Sequence, residues 1–496
     1  MERNDDRVAH TGKFTFPDGK EVNVPLIYDP QSDSHILQAS KGIEGIKIED
    51  SAARSFHVAT ALSDVNGKEG KLSYRGYDIN DLVNNASYEE VSHLLLRGDL
   101  PKQQELNRFK QELAEKAVIA PDVQQQLLGA LKSVNVQDNT NPMELMSMVV
   151  SIMGLNESLA VAKPQERYES TQRTIAVMPT LIGLVNARLK AKDKPEEMQY
   201  SFPTAQDFGT DGQDFSSAKL LASALSGQPM ASVDAKKADA LNKYLILHAE
   251  HGLNLSTFTA RAVDSGEAKE GAWRTTLGAM QSLAGNRHGN ASNDALNNLK
   301  SILARPEDTI EAKVDSYLAE SDANYKRSKE KPPGAQTPVG FVIEGIGHKI
   351  YEAPDPRAGA LQTILRSCKG DLQDSRLLDV ALCLQDKLKD HPRFGKREPK
   401  PYFPNVDFCS GVLLTQYLGI DERLMTSMFA VARNAGWQAH AAEHARDAKN
   451  IVRPEAIALT PAREFIPIEQ REVPTEVTAM QAAPMFPAAN KLLRSA

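Results

Sequence analysis

From Ile79 onward most of the chain carries apolar residues three or four positions apart, and this spacing constrains the fold more than any other feature. "YEEVSHLLLRG", "ELNRFKQELAEKAV", "ADALNKYLILHAEH" and "AWRTTLGAMQSLAG" each read as one amphipathic helix. Strand signals are confined to the region before Ile79. There "KFTFPDGKEVNVPLIY" (13–28) alternates around Asp18-Gly19, and "ALSDVNGKEGKLSYRGY" does so around Asn66-Gly67, two β-hairpin patterns. The expected fold is therefore mainly α, with a small β-rich N-terminal arm.

Polar stretches with Pro and Gly break the helical pattern at 190–214, 328–340 and 389–404. With 496 residues the chain is long enough for two to four domains, or for one large fold with a satellite. The 58 Lys and Arg against 65 Asp and Glu leave a formal charge of −7, which excludes a general attraction to nucleic acid or an anionic membrane. Any anionic ligand must be held by local arginines. The apolar run "MELMSMVVSIMGL" is broken by Glu144 and serines, so no membrane span is expected. The N-terminal stretch reads as neither a secretory signal nor a transit peptide. Cys368, Cys383 and Cys409 have no paired spacing, which suits a reducing, cytoplasmic compartment.

A few residues stand out chemically. In "LILHAEHGLN" the spacing predicts His248 and His251 on one side of a helix that ends at Gly252. "HAEH" lacks the HExxH spacing and a third ligand, so no metal is expected there. The pair reads either as imidazoles facing an anion or as packed helix histidines. His288 in "LAGNRHGNAS" and His348 in "EGIGHKIYEAPDPRA" are glycine-flanked, which allows sharp turns and close approach of a ligand. Asp355-Pro356-Arg357 reads as a turn that opens a helix. Asp407 in "PNVDFCSG" precedes an apolar-periodic run and reads as a helix N-cap or as a catalytic base. Two histidines and a carboxylate suit proton abstraction beside a carbonyl, with imidazoles stabilising the oxygen charge that develops.

"LSYRGYDINDL", "LILHAEHGLNLSTFTAR", "GHKIYEAPDPRA", "PNVDFCSG" and "ARNAGWQAH" occur in the order and approximate spacing of citrate synthases. The chain resembles that family from Gly42 to Pro454, and its first residues resemble the N-terminal extension of the larger bacterial members. The resemblance implies a two-domain helical fold: a β-rich arm (1–41), a large domain built from 42–289 and 401–496, and a small domain (290–400) that closes on the substrates. It implies a homodimer that condenses acetyl-CoA with oxaloacetate without a cofactor, acetyl-CoA being a substrate. By motif, Asp407 resembles the base, His288 the donor to the thioester oxygen and His348 the donor to the ketone. His251, with His248 nearby, resembles the oxaloacetate-binding histidine. Arg357, Arg433 and Arg453 resemble the carboxylate-binding arginines, the last supplied across the dimer interface. Gly345, Gly347 and Lys400 resemble CoA-binding positions. One departure stands out: where the family pattern reads "GPLHGGAN", this chain has "GNRHGNAS", with Asn286, Arg287, Asn290 and Ser292 changed around His288. The same residues would serve a 2-methylcitrate or other alkylcitrate synthase, and the altered stretch also allows a catalytically silent structural or regulatory homologue.

Overall fold

A computed structural model describes residues 9–15, 21–29, 34–37, 60–157, 164–266, 271–285, 289–329, 343–397, 401–447, 451–453 and 467–468. His288 and Lys400 lie outside these residues. The expected strand-poor helical body is present. Two antiparallel three-stranded sheets precede Ile79: β1 (Ala9–Thr15), β2 (Glu21–Asp29) and β3 (Ser34–Leu37), then β4 (Ser63–Asn66), β5 (Lys71–Tyr74) and β6 (Tyr77–Asp78). Thr15 pairs with Glu21 and Asn66 with Lys71, so both expected hairpins form, with connections longer than two residues. After Asp78 the described residues contain helices and one isolated bridge, Ile346 to Pro404.

The helices begin and end where capping chemistry dictates. The helix Tyr88–Arg97 opens with a capping box in which the Ser87 side chain accepts from Glu90 N and Glu90 returns to the Ser87 backbone. It buries Val91, Leu94 and Leu95, whose spacing places them on one face. Truncating Leu94, which is fully buried, costs about 2–5 kcal/mol. The apolar helix Pro142–Leu155 buries most of its residues because Gly271–Leu283 and Pro164–Lys190 pack on it. Those two helices also pack on Met425–Asp447, around the buried Trp273 and Trp437. No described helix is long and apolar enough to cross a membrane.

A second group of helices is packed together within the same chain: Ala291–Leu303, Ile310–Lys329, Arg376–Lys389 and Asp407–Val412, with Pro356–Ser367 against the last. Both groups belong to one compact unit, residues 1–43 with 54–452. Residues 44–53 and 453–496 form another.

The second hairpin sets the position of the loop bearing His348. Gly67 O accepts from Glu352 N at 2.8 Å, and a Cβ on Gly67 would lie 2.4 Å from Ile350 O. Only a residue without a side chain permits that approach.

Candidate active site

The helix Ala235–His248 is capped by Asp234, whose side chain accepts from Lys237 N. It stops at His248, not at Gly252 as its spacing predicts, so His248 and His251 do not share a helical face. Distant residues cause the early end. The Tyr74 hydroxyl lies 3.0 Å from Ile246 O and 2.8 Å from Glu250 O, and its single proton serves one of these two carbonyls at the point where a longer helix would continue. Glu250 Oε1 accepts from Gly252 N at 2.6 Å and Ser63 Oγ at 2.9 Å, and lies 2.9 Å from His440 Nε2.

His248 spends its ring inside the protein. Nδ1 donates to Tyr244 O at 2.9 Å, Nε2 lies 3.4 Å from Ser410 Oγ, and the ring stacks on Tyr244 at 4.1 Å. Burial pushes it down to about 3, so it is neutral. His251 is also buried, and burial, then the positive charge of Arg357, holds it well below the usual histidine range. Its Nε2 lies 3.1 Å from the Tyr351 hydroxyl, and its ring meets that of His348 edge-on at 5.1 Å.

His348 Nδ1 accepts from Ile350 N at 3.0 Å and from Tyr351 N at 3.2 Å. Two backbone donors on Nδ1 place the proton of the neutral ring on Nε2. The ring is thus set to donate from Nε2.

The two described arginines of the set are buried and differently occupied. Asp355 caps the helix Pro356–Ser367 and grips Arg357, accepting from its backbone N and Nε on Oδ1 (both 3.0 Å) and from Nη2 on Oδ2 (2.8 Å). Burial opposes the Arg357 charge, but Asp355 more than offsets it and raises its pKa. Nη1 and the second Nη2 proton have no described partner. Arg433, in Met425–Asp447, donates from Nε to His248 O at 2.5 Å and lies 4.7 Å over the Phe429 ring. Among the described residues its buried Nη1 has no hydrogen-bond partner. Burial pushes Arg433 down to about 10, so it is still a cation at neutral pH.

Asp407 is the first residue of the helix Asp407–Val412, and its side chain does not cap it. Capping falls to Asn405, whose Oδ1 accepts from Asp407 N at 2.9 Å. The Asp407 carboxylate is instead directed elsewhere: Oδ1 accepts from Ser292 Oγ at 2.6 Å. Burial raises its pKa, and the Ser292 hydrogen bond works against that rise. The segment around it is fastened to the His348 loop, since Asn405 N donates to Gly345 O (2.9 Å), Asn405 Nδ2 to Gly347 O (2.8 Å) and Gly347 N to Phe403 O (2.7 Å). Gly345 has φ +81°, and a Cβ there would lie 2.9 Å from Phe408 Cα. It also joins the arginine side of the site, because Val406 N donates to Asp355 Oδ2 at 3.2 Å.

Thus His248, His251, His348, Arg357, Arg433 and Asp407, drawn from segments nearly two hundred residues apart, form one electrostatically coupled group. Arg453 is exposed and belongs to the unit formed by 44–53 and 453–496. Among the described residues no three metal-ligating side chains gather. Sequence reasoning missed Tyr351, Asn405 and Ser292, and read Asp355 only as part of a turn. An Asp-x-Arg signal was available for Asp355, since Asp374 with Arg376 and Asp421 with Arg423 repeat the same clamp at other helix starts. Ser292 stands out only as a departure from the family pattern, and nothing local connects it to its partner 115 residues away.

Residues 54–455 match the family model described as citrate synthase, C-terminal domain. The chain is 30% identical over 439 residues to citrate synthase 2 of Bacillus subtilis, covering 88% of this chain and all of that protein. It is 29% identical over 443 residues to a citrate synthase of Haloferax volcanii, covering 88% of this chain and 99% of the other. Among solved structures, a citrate synthase from Pyrobaculum aerophilum superposes with a TM-score of 0.66 at 25% identity, over 95% of this chain and all of that one. A Thermoplasma acidophilum citrate synthase in ternary complex with carboxymethyl coenzyme A and oxaloacetate shares the fold, with a TM-score of 0.66 at 23% identity over 85% of this chain and 98% of that one. A match of this extent, on a chain whose histidine, arginine and aspartate motifs converge in space, shows that it belongs to the citrate synthase family.

Proposed function

We propose that this protein is a citrate synthase: it condenses acetyl-CoA with oxaloacetate and hydrolyses the citryl-CoA formed. The observation that carries the reading is Arg433, a buried guanidinium with Nη1 unpaired in a group of neutral histidines. A buried donor on a cation is costly unless an anion meets it, and a carboxylate matches its planar fork. Arg357, with Nη1 beside a clamped Nε, offers a second grip.

In this reading oxaloacetate binds first, between Arg357, Arg433 and His251, with His248 holding the Arg433 end in place through its carbonyl oxygen. Asp407, as the carboxylate, takes a proton from the acetyl methyl group, and His288 donates to the thioester oxygen. The enol carbon attacks the ketone while His348 donates from Nε2 to the oxygen that becomes an alkoxide. The tautomer set by Ile350 N and Tyr351 N supports that assignment. Water then cleaves the thioester. No step is assigned to a cofactor or metal.

The remaining assignments rest on motif. Arg453 is supplied by the second subunit of a homodimer, residues 290–400 move as the closing domain, and Gly345, Gly347 and Lys400 receive CoA. Gly347 N already donates to Phe403 O, so in this conformation its CoA contact falls to other atoms of the loop. Three cysteines without a disulfide suit the reducing cytoplasm.

Thiol release measured with acetyl-, propionyl- and longer acyl-CoA in the presence of oxaloacetate tests the reading, with Asp407→Asn as the control. Acetyl-CoA is expected to give the highest kcat/KM, and Asp407→Asn to keep oxaloacetate affinity while losing turnover by several orders of magnitude. Preference for propionyl-CoA would make it an alkylcitrate synthase. Absence of turnover with every acyl-CoA, or an Asp407→Asn variant within a few-fold of wild type, would overturn the mechanism.

A further inference from the structure

The changed residues around His288 include one that touches the proposed base. Ser292 lies in the first turn of Ala291–Leu303, a helix packed on Asp407–Val412, and is buried at 6% exposure. Its hydroxyl reaches Asp407 Oδ1 at 2.6 Å, within the range of a charge-assisted O–H···O⁻ bond. Among the described residues no donor reaches Oδ2. The backbone N of Asp407 is separately fixed by Asn405 Oδ1.

Resting on the reading of Asp407 as the base, we propose that Ser292 is its positioning residue: the hydroxyl holds Oδ1 as an acceptor and leaves Oδ2 to take the methyl proton. The chemistry favours one such donor. A buried carboxylate drifts toward its protonated form, which cannot act as a base, and a single hydrogen bond to the anion opposes that drift without exhausting its basicity. Where the family pattern carries an amide, this chain carries a hydroxyl, which still supplies a donor.

Among the described residues, charged and titratable groups from several elements act on Asp407. Arg357 and Asp355 stand at the start of Pro356–Ser367, Arg433 on Met425–Asp447, Tyr244 on Ala235–His248 and Glu344 in the loop before His348, with Asp294 on the helix of Ser292 acting on Glu344. These act through space. Of the described side chains, only Ser292 hydrogen-bonds the carboxylate.

The sign of the effect follows. Removing the hydroxyl destabilises the anion, so Asp407 protonates at higher pH and the acid limb of the kcat/KM profile moves up. The test uses the full-length enzyme as Ser292→Ala, Ser292→Thr and Ser292→Cys, reading the pH profile of kcat/KM for acetyl-CoA together with exchange of the acetyl methyl protons for deuterium. Oxaloacetate affinity and thermal midpoint report on folding. Ser292→Ala is expected to keep oxaloacetate affinity and lose about ten-fold in kcat/KM on the acid limb, with less change on the plateau. Ser292→Thr, which keeps the hydroxyl, should return the limb to its wild-type position. Should Ser292→Ala fold poorly, Ser292→Cys, nearly isosteric with a weak donor, is expected to show an intermediate limb. An unmoved limb in both Ala and Cys, or an equal displacement in Thr, would overturn the proposal. If that occurs while Asp407→Asn is inactive, only the role of Ser292 is lost; if Asp407→Asn stays active, the base itself was misassigned.

Discussion

Replacing Arg433 by Met separates ligand binding from folding, because the two are expected to respond very differently. In the unliganded protein the substitution removes the Nε hydrogen bond to His248 O, a loss of about 1.5–3 kcal/mol for a bond from a charged donor. It also removes a buried cation with an unpaired Nη1, a relief of about 1–3 kcal/mol for the orphaned donor alone. Methionine fills much of the same space against Phe429. The two effects nearly cancel, so urea unfolding should change by no more than about 2 kcal/mol in either direction. Oxaloacetate binding loses two charge-assisted hydrogen bonds with nothing in return, about 3 kcal/mol or 10²-fold in Kd by calorimetry. An oxaloacetate Kd within about threefold of wild type, together with a stability loss above about 3 kcal/mol, would show that Arg433 serves the fold and not the substrate.

Gly67→Ala should push the His348 loop, since the new Cβ would lie 2.4 Å from Ile350 O; kcat is expected to fall by at least ten-fold while the unfolding midpoint changes little. Burial works against the Glu250 charge, but His440, Arg433 and Ser63 more than offset it and its pKa is lowered. Its contribution to stability is present above the unfolded value of 4.5 and is lost as pH falls below it, so in Glu250→Gln the thermal midpoint should depend less steeply on pH in that acid range. If the proposed homodimer shares Arg453 between its sites, Asp407→Asn and Arg453→Ala, each expected to be inactive alone, should recover roughly a quarter of wild-type activity when mixed and exchanged, since one site of each heterodimer would keep both residues. No recovery despite heterodimers shown by native mass spectrometry would place Arg453 outside the neighbour's site.

What was legible in the sequence is what local physics determines. Periodicity of 3.6 is written into each helix, so the helical body after Ile79 could be read directly, as could the hairpins around Asp18-Gly19 and Asn66-Gly67. Helix ends were less legible. Three-residue spacing puts His248 and His251 on one side only if the helix continues, and Tyr74, from a strand far earlier in the chain, ends it. Asp407 had the residue type of a cap, but Asn405 two residues earlier has it too, and only the Ser292 contact shows which side chain is released for other work. The convergence of His248, His251, His348, Arg357, Arg433 and Asp407 was legible through family motifs and not through any pattern within a single segment.

Asp355 links the two halves of the proposed chemistry. A cap needs only one carboxylate oxygen, and here Oδ1 serves Arg357 N in the first turn of the helix, together with Arg357 Nε. The other oxygen, Oδ2, is shared between Arg357 Nη2 and Val406 N, the residue immediately before the base. Any carboxylate that draws the Arg357 guanidinium toward itself therefore competes with Asp355, and the strength of the bond to Val406 N changes as it does so. In the proposed mechanism, oxaloacetate on Arg357 and the base Asp407 are thus connected through one buried side chain, Asp355. The arrangement favours an order in which the dicarboxylate binds before the base is finally set. That order has a chemical merit, because an enol formed without its ketone partner has only a proton to react with.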